Sequence, residues 1–445
     1  MRAAFAELLI MLATVLQWLV LATLVGVMVG SGVSLFLISL FALTHATTGI
    51  PFWWQLLLLP AAGLANGLLL HYGYRLNRTS LQDGIITAFH EQEGRLPLKT
   101  MLIKPVAALI TLACGGAAGK EGPCSHIGAS LGAGMGQLLH LNSELQKRLV
   151  ACGVSAGFAG VFGTPIAGAI YGVEVLAIGR VRTDFLLPAI IGGVTAYQTS
   201  QFWGVPYDYY SLPFLSGFSE GLFLKTILIG IICGLAARVY VGSFHILRHA
   251  FDRLRVACKL WPPLLPLLGG GLLALLILVI PTDYLGLSLP LMNSALHGDA
   301  SPYLGFLWKS LLVAITLGSG FYGGVVTPQF VIGAVTGNAF GHLIGINPAL
   351  GAAAGLVAVV ASASNTPVAA ILLGVELFGG QGLLYTAGAA ISAYLLIGHR
   401  SIYPDQPLAY PKSSWIQMRP EMPVGQGKVR LSYGLLKWWH QRFHR

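Results

Sequence analysis

Long apolar stretches with almost no charged residue recur along the whole chain, as in residues 264–280, 304–318 and 349–363. Runs of about 17–25 such residues suit a helix through the hydrocarbon core of a bilayer. Roughly ten to twelve segments of this kind are present, several of them short or interrupted by Gly and Pro. Their residues do not alternate in polarity as the strands of a membrane β-barrel do. The pattern therefore predicts an all-α polytopic membrane protein of broken helices, because backbone groups in lipid must be paired internally.

The composition supports a membrane environment and limits the kind of partner. The chain has 445 residues, of which 55% are hydrophobic and 9% are charged, whereas soluble domains have roughly a quarter charged residues. Much of the net charge of +10 lies in residues 238–259 and 412–445. Basic segments that flank membrane helices mark the cytoplasmic side and attract anions or anionic lipid headgroups. We therefore expect no nucleic-acid partner.

Two sequence patterns occur twice, in the same order. Residues 153–174 match residues 355–376 at an offset of 202, and residues 119–136 match residues 324–341 at an offset of 205. The first match includes, in its earlier copy, Gly153, Thr164, Pro165, Ala167, Gly172, Val173 and Glu174. The chain is therefore predicted to contain two homologous halves, as many transporters do. These residues leave open whether the halves are parallel or inverted.

The repeats and the charge suggest where these units begin and end. A transmembrane domain is expected over residues 1–411, with one half at about 50–237 and the other at about 260–403. The basic residues 238–259 are predicted to connect the halves. Residues 412–445 are predicted to form a basic cytoplasmic tail, with no cytoplasmic regulatory domain.

One pair of matching patterns predicts two helix starts inside the membrane. Pro123 and Pro328 each follow a glycine-containing cluster and open an apolar run, and Pro is favoured in the first turn of a helix. Free amides at such a start, with the positive end of the helix dipole behind them, bind anions. Two starts that face each other would form an anion site without a fixed positive side chain, which allows rapid release. The alternative is that these residues only mark helix starts in a packed bundle.

Glu121 lies at the first of these helix starts. A carboxylate at membrane depth is a functional-site hypothesis by default. Here it would compete with a bound anion, and it would withdraw or take up a proton when an anion arrives; simple capping of the helix is the alternative. Glu174 and Glu376 occupy equal places in the repeat, which favours a structural role. Lys120 is interpreted as a snorkelling or loop charge, and His126 as a packed or hydrogen-bonded histidine.

The sequence lacks the usual motifs of catalysis. It contains no metal-ligand cluster, no phosphate-binding GxxxxGK loop and no nucleophile–base pair. The five cysteines form no CxxC pair, which favours isolated thiols. We therefore expect neither a cofactor nor an enzymatic activity. A membrane-embedded enzyme acting on lipid is a remote alternative, because no intramembrane acid has a His or Ser partner at a matching spacing.

Several motifs resemble those of the CLC anion channel and transporter family. Gly119-Lys-Glu-Gly-Pro resembles GREGP, and Gly323-Gly-Val-Val-Thr-Pro resembles GGxFxP. Phe162-Gly-Thr-Pro and Ser364-Asn-Thr-Pro resemble the NAPLAG-type helix of the family. The resemblance spans about residues 79–406 in the correct order. It implies two inverted-topology halves, a homodimer and one pore per subunit.

The resemblance also implies which residues form the site. Glu121 would be the gating glutamate. The amides of Val325 and Val326 would lie at the anion site, and Tyr403 near its inner end. The complete anion-binding set that the resemblance implies is Gly119, Lys120, Gly122, Ser80, Val325, Val326, Thr327 and Tyr403.

Within the family, residues 323–334 and 398–403 are most similar to the bacterial fluoride/proton exchangers. Three features depart from the family patterns. Val325 stands where that branch has a second glutamate, and Val175 stands where chloride exchangers have an inner proton glutamate. Thr79-Ser80-Leu81 stands in place of the stretch GSGxP. Because valine cannot transfer a proton, these departures favour uncoupled or loosely coupled flux.

The sequence thus predicts a transporter of small inorganic anions, chloride or fluoride, with a CLC-type pore that a glutamate gates. Channel-like or loosely coupled flux is favoured, and a proton-coupled halide antiporter is the alternative. The expected location is the cell (inner) membrane, with multiple passes. The expected partners are halide ions, protons if flux is coupled, membrane lipid and a second copy of the chain.

Overall fold

The computed structural model describes residues 2–47, 49–75, 84–212, 217–427 and 430–431. Most of these residues lie in α-helices. The helices before residue 213 are α1 Arg2–Thr47, α2 Phe52–Arg75, α3 Ile85–Glu91, α4 Thr100–Ala113, α5 Glu121–Leu138, α6 Ser143–Phe162, α7 Pro165–Glu174 and α8 Leu186–Phe202. The later helices are α9 Glu220–Ala257, α10 Leu264–Leu276, α11 Leu289–His297, α12 Gly305–Gly318, α13 Val326–Ile344, α14 Pro348–Ala363, α15 Pro367–Phe378 and α16 Leu383–Leu396.

The described residues also contain three short 3₁₀ turns, Thr183–Phe185, Thr282–Tyr284 and Gly380–Gly382. Strands β1 Ile416–Gln417 and β2 Arg430–Leu431 pair antiparallel. The sixteen α-helices exceed the ten to twelve apolar segments that the sequence predicts, because some apolar runs form two helices. Gly163, with φ of 71°, ends α6 just before α7 begins, so that one run becomes two.

Three described helices are long and apolar enough to cross a membrane: Ala4–Thr47, Phe52–Gly73 and Glu220–Ala257. Shorter apolar helices accompany them, among them α4, α10, α12, α14 and α15. Short helices that end inside the hydrocarbon region are tolerated only where protein surrounds their free backbone groups. The protein is therefore an integral membrane protein of broken helices, and its helix ends are positions where backbone amides can meet a ligand.

The eight helices α1–α8 correspond in order to α9–α16, in two halves of inverted topology. α5 packs on α6 as α13 packs on α14, and α1 packs on α8 as α9 packs on α16. The boundary between the halves therefore lies between α8 and α9. The predicted boundaries need correction here: the first half includes α1, and residues 238–257 are the end of helix α9 rather than a connection between the halves. No Pro interrupts this stretch, so the helix continues through its basic residues.

Equivalent glycines allow the two helix pairs to approach closely. A Cβ atom at Gly128 of α5 would overlap the carbonyl group of Gly153 in α6. A Cβ atom at Gly333 of α13 would likewise overlap the carbonyl group of Gly355 in α14. Small residues at such contacts are typical of membrane helices, whose association depends on close packing. These four glycines belong to the repeated patterns, so the repeat encodes the scaffold.

The C-terminal segment, residues 404–427, packs against the helices rather than leaving them. Ile178 donates its amide to Pro407 O at 2.9 Å, and its carbonyl accepts from Ala409 N at 2.9 Å. Lys412 Nζ donates to Asn365 Oδ1 at 2.5 Å and to Tyr394 O at 2.8 Å. The packed segment thus continues beyond residue 411, where the sequence suggests that a separate tail begins.

Candidate anion site

The loops that precede α5 and α13 hold each other across the two halves. Gly119 N donates to Gly324 O at 2.8 Å, and Gly324 N donates to Gly119 O at 2.8 Å. This antiparallel pair places the N-termini of the two helices side by side. The sequence predicts facing helix starts, and the geometry has that arrangement.

Glu121, the first residue of α5, reaches across to the start of α13. Its Oε1 accepts from Val326 N at 2.5 Å. Its Oε2 accepts from Thr327 N at 3.1 Å and from the Thr327 hydroxyl at 2.6 Å. The side chain is only 2% exposed. A carboxylate bound to free amides at a helix N-terminus occupies a place that suits any small anion.

Two glycines leave room for this carboxylate. A Cβ atom at Gly119 or at Gly324 would overlap the carboxylate oxygens of Glu121. A Cβ atom at Gly122 would lie 2.8 Å from the Gly324 Cα atom. The predicted site residues Gly119 and Gly122 therefore contribute to the site because they have no side chain that would fill this space.

The structure also places the other residues of the predicted set. Lys120 donates its amide to the Thr327 hydroxyl at 3.4 Å, while its ammonium group lies over the rings of Phe41 and Phe162 at 5.5 and 5.9 Å. The carboxylate is bound by the amides of Val326 and Thr327, one residue later than the predicted pair. The carbonyl of Val325 accepts from the Tyr240 hydroxyl at 3.0 Å. Ser80 lies outside the described residues.

Tyr403 is hydrogen-bonded to a second tyrosine. The hydroxyl groups of Tyr171 and Tyr403 are 2.8 Å apart. The backbone amide of Tyr403 donates to Ser401 Oγ at 3.0 Å, and Ser401 in turn donates to Gln406 Oε1. Gln406 donates to Val175 O at 2.7 Å. Tyr403 is therefore positioned by the C-terminal segment as well as by the helices.

A cavity of about 530 Å³ connects these groups. Glu121, Tyr171 and Tyr403 line it, together with Val175 and Val325. Charged residues also line it: Lys104, Arg248, Asp252, Arg255 and Asp405. The basic end of α9 thus borders the same cavity as Glu121.

Glu174 and Glu376 cap each other's helices. The Glu174 carboxylate accepts from the amides of Val368 and Ala369 at 3.1 and 2.8 Å. The Glu376 carboxylate accepts from the two equivalent amides of α7, those of Ile166 and Ala167, at 2.9 and 2.7 Å. These reciprocal caps satisfy free helix-start amides, as expected for a structural pair.

The remaining candidates have ordinary surroundings. His126 Nε2 lies 3.0 Å from the Thr100 hydroxyl, in agreement with a hydrogen-bonded histidine. All five cysteines are free. Over the described ranges, no group of three or more His, Cys, Asp or Glu side chains is placed to hold a metal ion.

Sequence reasoning missed three polar residues near Tyr403: Tyr171, Ser364 and Gln329. Ser364 Oγ donates to Gln329 Oε1 at 2.9 Å. A signal for them exists in the repeat, because the equivalent residues of the other half are Leu373, Phe162 and Cys124. Positions where the two halves differ in polarity could have identified these residues.

Known proteins resemble this chain in sequence and in fold. Residues 61–398 match the family model described as voltage gated chloride channel. The chain is 34% identical over 412 residues to a chloride/fluoride channel protein of Pseudomonas syringae pv. tomato, a match that covers 90% of this chain and 89% of that protein.

Two solved structures are also similar. The crystal structure of a CLC-type fluoride/proton antiporter has a TM-score of 0.80 at 30% identity, covering 88% of this chain and 98% of that chain. The structure of a slow cyanobacterial Cl⁻/H⁺ antiporter has a TM-score of 0.67 at 25% identity, covering 85% of this chain and 94% of that chain.

Proposed function

The chain belongs to the voltage-gated chloride channel (CLC) family of anion transport proteins, and on this basis we propose that it exchanges a small halide, fluoride or chloride, for protons. The observation that supports the proposal is the position of the Glu121 carboxylate on the amides of Val326 and Thr327. A carboxylate and a halide ion are both hydrogen-bond acceptors without donors. They therefore compete for the same amides.

This competition links a protonation step to each transport cycle. A halide that enters displaces Glu121 from its donors. The displaced carboxylate is then a buried charge without hydrogen bonds, which is costly until it is protonated or solvated. Proton uptake by Glu121 therefore accompanies halide entry, and proton release accompanies the return of Glu121 to the amides.

The cavity offers protons a route that needs no further intramembrane acid. Val175 lines the cavity and so do Glu121 and Asp405. Water in a polar cavity can transfer protons past a valine side chain. The proposal therefore goes beyond the loosely coupled flux that Val175 and Val325 suggest in the sequence.

The test is transport by the purified protein in liposomes with the voltage clamped. A pH gradient is imposed without a halide gradient, and fluoride and chloride are measured with ion-selective electrodes. An exchanger moves halide uphill at a fixed ratio to protons. Downhill halide flux without uphill movement would refute the coupling, and the absence of any halide flux would refute the proposal as a whole.

Channel-like flux is the second candidate function. One observation favours it: among the residues that line the cavity, positions 175 and 325 are valines, and valine offers no proton site. The name of the Pseudomonas syringae relative also describes a channel. The same liposome experiment separates the two candidates, because a channel dissipates a halide gradient but does not build one.

We further propose that the protein functions as a homodimer in the inner membrane. The support is family membership, which implies two pores in a dimer, and the basic end of α9 on one side of the membrane. Light scattering of the detergent-solubilised protein, corrected for bound detergent, would measure the oligomeric state. A monomer that transports halide would exclude the need for a dimer.

A further inference from the structure

Gln329 of α13 is completely buried, three residues after Val326. Its Oε1 accepts from Ser364 Oγ at 2.9 Å. Its Nε2 has no hydrogen-bond partner among the residues that the structure describes. Buried polar groups in proteins are nearly always paired. An amide nitrogen with two unused N–H groups at this depth therefore indicates a missing acceptor.

The missing acceptor belongs near the anion site. Gln329 lies about one helical turn after Val326, whose amide binds the Glu121 carboxylate. Ser364, its partner, lies near the hydroxyl groups of Tyr171 and Tyr403. Those two tyrosines line the cavity that reaches Glu121.

The cluster is richer in donors than in free acceptors. Ser364 donates to Gln329, and one tyrosine hydroxyl donates to the other. The two N–H groups of the Gln329 amide remain, at the positive end of the α13 dipole. A small anion satisfies such donors better than any neutral group does.

The first half shows that the fold does not require these polar residues. The repeat places Cys124 where Gln329 stands and Phe162 where Ser364 stands. Both counterparts lie in equivalent helices that pack in the same way. Polar side chains at these two positions of the second half therefore serve something other than helix packing.

Fluoride is the smallest halide and the strongest hydrogen-bond acceptor among them, so it loses most when it leaves water. A site that favours fluoride must compensate for this loss of hydration with unpaired hydrogen-bond donors close to the ion. A site that only attracts negative charge does not compensate for it. Resting on the proposed halide transport, we propose that Gln329, held by Ser364, is a specificity determinant that favours fluoride over chloride.

The test measures initial rates of fluoride and chloride transport by the full-length protein in liposomes. Gln329→Met keeps the length of the side chain and removes its donors. The expected result is a fall of about tenfold in the fluoride-to-chloride rate ratio, since each lost hydrogen bond to an ion weakens binding by roughly that factor, with the chloride rate falling less than the fluoride rate. Ser364→Ala should lower the ratio less, because it only frees the Gln329 side chain.

Thr336→Val is the matched control. Thr336 is a buried polar residue of α13 whose hydroxyl donates to Ile332 O of its own helix at 2.6 Å. Its loss should leave the ratio unchanged. An unchanged ratio in Gln329→Met, or an equal fall in both rates, would overturn the inference.

The two proposals fail in different ways. If Gln329→Met does not give a monodisperse protein, Ser364→Ala decides by the same criterion. A wild-type protein that transports both halides, with a ratio that Gln329→Met does not change, refutes the specificity inference and leaves halide transport standing. A wild-type protein that transports neither halide refutes halide transport, and the inference with it.

Discussion

The two halves of the molecule have the same sequence of helices but differ at the helix starts that meet. α5 begins with Glu121, whose carboxylate reaches the amides of Val326 and Thr327. α13 has no acid at its start to return this contact, because residues 325 and 326 are valines. One half therefore supplies the substitute anion and the other supplies the donors. The proposed anion site therefore depends on the two halves unequally.

The ends of α7 and α15 show the opposite arrangement. Glu174 binds two amides of α15, and Glu376 binds the two equivalent amides of α7. Both acids are caps, and neither is free to exchange with a ligand without exposing a helix start. The comparison teaches that equal acids in the repeat maintain the scaffold, whereas the unequal acid is the one that we propose to act on the ion.

Removal of the unequal acid should have the largest effect. In Glu121→Gln, both the substitute anion and the titrating group are lost. We expect uphill halide movement to stop and flux to lose its pH dependence, which a single titrating carboxyl can make as steep as about tenfold per pH unit. Halide flux at two pH values measures this. A mutant with the pH dependence of the wild type would show that Glu121 only caps its helix.

A methyl group at the meeting point of the two loops should be nearly as severe. Gly324→Ala places its Cβ against the Glu121 carboxylate, so the carboxylate leaves the amides and the gate cannot close. We expect a raised basal halide leak with little pH dependence. Gly271→Ala is the control, because a Cβ there meets no atom within 4 Å. A leak equal to that of the control would contradict the proposed overlap.

An acid added to the second half should change the coupling of halide transport to protons. In Val325→Glu, a second titratable group would line the cavity beside Glu121. We expect a higher ratio of protons to halide ions, measured from the reversal potential in a pH gradient. Val325→Gln has a similar size and no titratable group, so it should keep the wild-type ratio. Equal ratios in the two variants would exclude a proton role for this position.

The equal acids should respond alike. Glu174→Gln and Glu376→Gln each weaken a helix cap, at a cost of about 1–2 kcal/mol of stability. The loss should be larger for Glu174, which is only 5% exposed, because its carboxylate is more deeply buried than that of Glu376. Thermal unfolding in detergent measures the loss. Both variants should keep the wild-type ratio of protons to halide, and a changed ratio in one of them would break the symmetry argued here.

The smallest effect concerns the C-terminal segment, which only the second half has. His399 Nε2 accepts from Lys412 N at 3.0 Å, and burial and the nearby Lys412 lower the pKa of His399 below its usual value. A lowered pKa means that the contact stabilises above about pH 6.5 and is lost as the pH falls through the folded-state pKa. Acidification should therefore loosen residues 404–427.

Hydrogen exchange of the C-terminal segment, corrected for intrinsic rates, measures this loosening. His399→Gln still offers an acceptor but does not titrate, so its exchange should depend less on pH. His140→Gln changes an exposed histidine and serves as the control. Protection that does not vary between pH 5 and pH 7.5 (about the range that a histidine titrates) would contradict the role of His399.

Much of the scaffold could be predicted from the sequence. Pro123 and Pro328 mark two helix starts, and the repeated glycines mark the helix pairs. Periodic apolar runs depend only on neighbours along the chain, so they can be recognised from the sequence. The apolar runs do not show where one run divides into two helices, because a break such as the one at Gly163 depends on a turn inside the run.

The sequence by itself determined that two related halves meet at glycine-rich helix starts, and that Glu121 is the acid at that meeting. Only the tertiary structure decided which amides bind the carboxylate, that Glu174 and Glu376 cap each other's helices, and that Gln329 is left with unpaired donors. The physical reason is that the carboxylate contacts join residues about 200 positions apart, and Gln329 meets Ser364 from another helix, 35 positions away. Their distances and hydrogen bonds arise only when the halves pack, and no local pattern encodes them.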